Sequence, residues 1–252
     1  MLAISRKDAA AVRDDLVAKG LAPSSVTRVL TTIKAVINFA IQEEGIELSN
    51  PFKGLLVDKS IGPKKRMPVP LNDLQRVQKQ CWNVDDDLRW IVAAISDTGC
   101  RMAEIVGLSK ADVRLDGDIP FISISPKPWR RLKTASSERD IPLVGSALWG
   151  ITRAYQSTNS EMLFPRYNNG LYSNSNSASA ALSKWLKQQT KPDCTMHSFR
   201  HSFRDRLRAV ECPIELTDAL GGWSTDGIGA AYGQGYSLEL KQKWLSAIVL
   251  NP

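Results

Sequence analysis

The chain has 252 residues, 43% of them hydrophobic, with 33 Lys and Arg against 26 Asp and Glu, for a formal net charge of +7 at pH 7. It holds no run of about 18 apolar residues that would span a membrane, and Met1 to Ala10 lack the apolar core and cleavage site of a signal peptide, so a cytoplasmic protein is the expectation. Four cysteines without a C-x-x-C pair, and two histidines, argue against a zinc site or a disulfide framework, while the basic surplus favours polyanionic partners.

Ser5 and Asp8 form a capping box for a helix over Ala9–Lys19, which Gly20 ends. Pro23 and Ser24 open the next helix, with Val26, Val29, Leu30, Ile33, Val36, Ile37, Ala40 and Ile41 at helical spacing; Gly45 and Asn50-Pro51 stop it. From about 51 to 70, Pro51, Gly54, Gly62, Pro63, Pro68 and Pro70 suit an irregular linker. Its basic cluster Lys64, Lys65 and Arg66 is either solvated or lies along DNA phosphates.

The rest reads as mainly α with a short β section. Helices are expected from a cap at Asn72 or Asp73 to about Cys81, over Asp87–Asp97, and over Arg101–Leu108. Ile119–Ser125 alternates like a strand. Arg130–Pro142 reads as strand, turn around Ala135–Ser137, and strand. Further helices are expected over Ser146–Tyr155, Ala180–Gln189 (after an Asn/Ser-rich loop, Tyr167–Ser179), His197–Val210, Ile214–Leu220, Thr225–Tyr232 and Ser237–Ile248.

Breaking a phosphodiester takes a nucleophile, cations for the charge that develops on the phosphoryl oxygens, and an acid for the leaving oxygen. Four pieces of the chain carry such groups. In Gly99-Cys100-Arg101-Met102-Ala103-Glu104, Arg101 stands at a helix start, suited to a phosphate, and Glu104 is placed to orient it. Lys133 precedes the turn of the expected hairpin, with Arg130 and Arg131 beside it as candidate DNA contacts. His197 and Arg200, three apart, share one helical face; His201 points elsewhere and reads as a structural, hydrogen-bonded histidine. Leu220-Gly221-Gly222-Trp223 offers an indole N–H, and Tyr232 follows Trp223 by nine residues in a small-residue stretch. Each piece alone also fits an ordinary surface pair, helix cap or core aromatic. A second tyrosine, Tyr236, lies close by, and the Trp223 spacing favours Tyr232.

In this order, Arg-x-x-Glu, a hairpin Lys, His-x-x-Arg, then Trp and Tyr resemble the catalytic set of the tyrosine recombinase (phage integrase) family, from about Leu71 to the end; Val26–Pro51 resembles the last part of that family's core-binding domain. The resemblance implies an α+β fold: a tyrosine recombinase catalytic domain at 71–252 with a small antiparallel sheet, a linker at 56–70, and a partial helical core-binding domain at 1–55. Only two helices precede the linker where the family has about four or five, so a shortened N-terminus is the expectation. The resemblance further implies that Tyr232 attacks the scissile phosphate to form a 3′-phosphotyrosyl bond. Arg101 and Arg200 would hold the non-bridging oxygens, Lys133 would be the general acid, His197 would assist proton transfer, Trp223 would donate to a phosphate oxygen, and Glu104 would buttress the site. No cofactor or metal is implied. The implied partners are double-stranded attachment-site DNA and other copies of the chain, as a tetramer on paired sites. The last helix, Ser237–Ile248, packs either on its own core or on a neighbouring subunit. A type IB topoisomerase shares this chemistry, and a DNA-binding protein with a decayed site is the non-enzymatic alternative.

Overall fold

In the computed structural model, residues 4–58, 67–191, 194–224 and 235–250 are described. The chain divides into two compact units, Met1–Lys65 and Arg66–Pro252.

The first unit is a helix pair, α1 (Arg6–Ala18) and α2 (Pro23–Glu43). The expected capping box is in place: Asp8 N–H donates to Ser5 Oγ at 3.2 Å and Ser5 N–H to Asp8 Oδ2 at 2.8 Å. Pro23 starts α2, where its fixed φ suits the helix and its missing N–H costs nothing. Ala9, Val26, Leu30 and Phe52 form a small buried core, with Leu55 and Val57 packed against it. The first residues of the expected linker are therefore irregular in backbone but closed over the helices. Arg6 holds them, its guanidinium donating to the carbonyls of Pro51 and Gly54, both at 2.9 Å.

In the second unit α3 (Leu71–Val84), α4 (Asp87–Thr98), α5 (Met102–Val106) and α6 (Gly145–Ser157) surround a core in which Ile91 to Ile95 of α4 are all buried. The start of α3 differs from expectation. Neither Asn72 nor Asp73 caps it; the helix begins after Pro70, and Asp73 lies in the first turn paired with Arg76 at 2.6 Å. A three-stranded antiparallel sheet, β1 (Val113–Arg114), β2 (Phe121–Ile124) and β3 (Arg139–Pro142), pairs Val113 with Ile122, Ile122 with Ile141, and Ile124 with Arg139. Alternation turns Ile122, Ile124 and Ile141 into the core.

The expected hairpin is thus built differently. Its first arm is β2, and the residues after Arg130 are a loop, not a strand. Arg130 itself turns inward. Its side chain is 0% exposed and pairs with buried Asp112, Nη1 to Oδ2 at 3.0 Å and Nη2 to Oδ1 at 3.2 Å, with Nη1 also donating to Gly107 O at 3.0 Å. Arg130 as a DNA contact is corrected on this ground: a carboxylate in the core demands a partner, and Arg130 is committed to it.

The chain closes with α7 (Ser175–Gln189), α8 (Ser198–Ala209), α9 (Ile214–Gly221) and α10 (Leu238–Ala247). α7 starts five residues before the expected position, because Asn174 caps it by accepting from Ser177 N–H at 3.0 Å. The expected helix at Thr225–Tyr232 lies outside the described residues. α10 packs on its own core, with Leu245 and Ile248 buried. A buried ion pair secures this end: Arg206 donates to Asp97 Oδ1 and to Ile248 O, both at 2.9 Å, while Asp97 also accepts from Ser146 N–H at 2.9 Å. Among the described residues no helix is long and apolar enough to cross a membrane.

Candidate active site

Gly99 ends α4 with φ +61, a turn that directs the chain into Arg101 at the N-terminus of α5. Glu104, one turn on, accepts from the Arg101 backbone N–H at 2.9 Å and from Arg101 Nη1 at 2.6 Å, as the spacing predicted. A second arginine reaches the same carboxylate: Arg139 Nη2 lies 3.0 Å from Glu104 Oε2. Burial alone would raise the Glu104 carboxyl, but Arg139, the Arg101 N–H and both guanidiniums hold it below the usual carboxylate value. It is therefore a fixed negative charge.

Arg200 enters from α8. It is 3% exposed, donates to Gly99 O, and donates to Gly221 O at 2.9 Å. Arg101 Nη2 donates to the next carbonyl, Gly222 O, at 3.3 Å. Two guanidiniums from distant segments thus converge on one turn, where α9 ends with Gly222 at φ +61. A side chain is excluded there. A Cβ on Gly221 would lie 1.9 Å from the Trp223 ring, and one on Gly222 would lie 2.6 Å from Arg139 Nη1. Trp223 packs over the site with its ring centroid 4.9 Å from the Arg200 guanidinium and 4.8 Å from that of Arg204. Burial lowers Arg200 to about 10, with Glu104 opposing and Arg101 and Arg139 adding to the shift; it remains a cation at neutral pH. Arg101, Arg139 and Arg200 share the charge of Glu104, which leaves the cluster a net cation suited to an anion.

Lys133 is exposed in the β2–β3 loop. With Arg131, Leu132, Arg101, Ala103 and Glu104 it lines an open cavity of about 380 Å³. His197 is exposed just before α8 and stands edge-on to His201, ring centroids 5.4 Å apart. His201 is exposed too. It lies on α8 with its ring against that of His197, on the solvent-facing side of the helix. Tyr236, the alternative nucleophile, donates to Glu215 Oε2 at 3.2 Å; burial and then this bond push its phenol up, so it is held protonated. Tyr232, Lys64, Lys65 and Arg66 lie outside the described residues.

The structure thus brings Arg101, Glu104, Arg200 and Trp223 together and sets Lys133 at the rim beside Arg101. The sequence reading overlooked Arg139, Arg204 and Ser137, whose hydroxyl accepts from Arg101 Nη1 at 2.9 Å. A signal existed for two of them. Arg139 is two residues before Ile141 on the same strand face, and Arg204 follows Arg200 by one helical turn.

A mainly α domain with a three-stranded antiparallel sheet is the catalytic fold of the tyrosine recombinases. Residues 72–236 match the phage integrase family, and the chain belongs to it. The fold is similar to that of the Tn1549 transposon integrase in complex with circular intermediate DNA, with a TM-score of 0.65 and 18% identity, covering 96% of this chain and 84% of that one. It is also similar to that of a lambda integrase tetramer bound to a Holliday junction, with a TM-score of 0.63 and 19% identity over 90% of this chain and 64% of that one. A lambda integrase dimer bound to a COC′ core site gives 0.62 and 16%, over 93% and 67%. No match was found among curated proteins.

Proposed function

We propose that this phage integrase family member is a site-specific DNA recombinase that cleaves and rejoins DNA through Tyr232, for integration or excision of a mobile element. The observation that carries this reading is the convergence of Arg101 and Arg200 on the carbonyls of Gly222 and Gly221 beneath Trp223.

In the proposed reaction the Tyr232 phenol oxygen attacks the scissile phosphorus. An O–P bond to tyrosine forms as the bond to the 5′-oxygen breaks, leaving a 3′-phosphotyrosine and a free 5′-hydroxyl. Arg101 and Arg200 neutralise charge on the non-bridging oxygens, which acts on the transition state more than on the ground state. Glu104 keeps Arg101 oriented, and the Trp223 indole N–H donates to a phosphate oxygen. His197 takes part in moving the tyrosine proton, and Lys133, beside Arg101 on a mobile side chain, protonates the leaving oxygen. A partner strand's 5′-hydroxyl then reverses the step. One phosphoester replaces another throughout, so the scheme requires no nucleotide cofactor. Partners in this reading are attachment-site duplexes and further copies of the chain, assembled as a tetramer; the lambda integrase tetramer on a Holliday junction supports that arrangement. Residues 1–55 serve as a partial core-binding domain and 56–70 as the linker, Lys64, Lys65, Arg66 and Arg131 contact phosphates, and the protein acts in the cytoplasm.

The test mixes wild type and Tyr232→Phe with nicked duplexes carrying candidate attachment sequences. An SDS-resistant protein–DNA adduct is expected from the wild type alone, with DNA binding retained in both. An adduct from Tyr232→Phe would move the nucleophile, first of all to Tyr236. Strand exchange between two duplexes, as opposed to relaxation of a supercoil alone, separates recombinase from topoisomerase.

A further inference from the structure

Arg139 has no place in the reaction just described, yet it is the more deeply buried of the two arginines on Glu104, its side chain 4% exposed against 23% for Arg101. Its Nε donates to Leu220 O at 2.9 Å, Nη1 to Ser137 O at 2.6 Å, and Nη2 to Glu104 Oε2 at 3.0 Å. Arg101 uses the same three places. It donates to Glu104 Oε1, to Ser137 Oγ and to Gly222 O, the last of these two residues on from Leu220. The two guanidiniums share the Glu104 carboxylate, one on each oxygen. They share Ser137, one on its hydroxyl and one on its carbonyl. They share the turn that leads to Trp223, where Gly222 has no Cβ because Arg139 occupies that space.

We propose that Arg139 is a positioning residue for DNA cleavage: from the buried side it fixes the carboxylate, the serine and the glycine turn that hold Arg101, and so sets Arg101 before a phosphate arrives. The inference rests on the reading of Arg101 as a phosphate clamp. A planar fork with donors in three directions is what the arrangement needs. A lysine carries the charge but is a point donor without that geometry. Preorganised donors contribute because they need not reorganise during the reaction. Cys100 Sγ, 3.4 Å from Arg139 Nη2, completes the lining, and its burial, which pushes the thiol up to about 11, keeps it a neutral neighbour.

Arg139→Lys tests this with two readouts. The first needs no DNA chemistry: phenylglyoxal modification of Arg101 in the full chain, mapped by mass spectrometry. Arg101 in the variant is expected to react several-fold faster, as its partners loosen. The second is the rate of covalent capture on the nicked duplex, expected to fall on the order of 100-fold, as small misplacements do, while affinity for the same duplex stays near wild type. Unchanged Arg101 reactivity with unchanged capture overturns the proposal, as does a parallel loss of capture and binding without any change at Arg101. If the wild type itself makes no adduct, the Tyr232 reading fails while the phenylglyoxal result still judges Arg139. If Arg139→Lys does not fold, Glu104→Gln breaks the same link from its other end at equal volume, and unaltered Arg101 reactivity there counts against the proposal.

Discussion

The Arg200 guanidinium lies 4.9 Å from the centroid of the Trp223 ring. Arg200 is buried and bonds carbonyls, not a carboxylate, so the electron-rich ring face supplies part of the compensation that a buried cation needs. Trp223 has two separable features, the ring face and the indole N–H. Trp223→Phe keeps a face and removes the N–H, so it is expected to fold near wild-type stability and to lose covalent capture. Trp223→Ala loses both and is expected to lower stability by about 2 kcal/mol as well, the worth of a desolvated cation–π contact. Urea unfolding alongside capture kinetics reads the two effects apart. A Phe variant with full capture would remove the N–H from the reaction.

Arg200→Lys addresses the cation directly. One ammonium cannot reproduce the bonds to Gly99 O and Gly221 O together with a planar face against Trp223. Loss of one transition-state donor costs roughly 3–4 kcal/mol, so capture on a nicked duplex is expected to slow by on the order of 10²–10³. Filter binding of the same duplex should change far less, because phosphate contacts elsewhere carry the affinity.

Local chemistry made much of this site legible in the sequence. The Ser5–Asp8 box, the Gly99 turn, the Arg101–Glu104 spacing and the cap-and-stop pattern of the helices all act within four residues of one another. What stayed hidden depends on partners far along the chain. Arg130, Arg131 and Arg139 stand in one charged stretch and look alike. Arg130 is buried because Asp112 lies 18 residues back, and Arg139 because Glu104 lies 35 residues back. Arg131, between them in sequence, is exposed. The strand expected at Ile119–Ser125 is β2, but the one expected from Arg130 failed for a related reason: Arg130 closes a tight turn with Lys127 and sends its side chain inward to Asp112 and Gly107 O.

Acid should act through Glu104. Its folded carboxyl titrates below its ordinary value of 4.5, so the unfolded chain binds its proton more readily than the native one. The stabilisation is then complete above the unfolded value and is lost as pH falls through the folded one. Urea melts between pH 6 and about pH 3 are expected to show wild-type stability falling more steeply than that of Glu104→Gln, which has no proton to take up. Parallel slopes would mean that Glu104 is not held ionised by its arginines.

Tyr236→Phe separates the two tyrosines. The variant loses the bond to Glu215, a change of about 0.5–1.5 kcal/mol, and keeps the ring. Covalent capture is expected at wild-type levels. Loss of the adduct with DNA binding intact would assign the nucleophile to Tyr236.

Arg130 and Arg131 are adjacent, and their substitution should have opposite signatures. Arg131 is exposed and lines the cavity beside Arg101 and Lys133. Arg131→Ala is expected to leave stability unchanged, weaken DNA binding evenly across sequences, and reduce the salt slope of binding by about 1. Arg130→Ala instead strands Asp112 in the core, 2% exposed, with Lys127 at 3.6 Å its remaining cation. Breaking one side of a buried pair costs about 3–5 kcal/mol, partly offset here as Lys127 draws closer. Denaturant midpoints should drop sharply for Arg130→Ala, while the salt slope of whatever remains folded stays as in wild type. A reduced slope with normal stability would put Arg130 at the DNA after all, and would require the loop from Ser125 to Lys133 to open on binding.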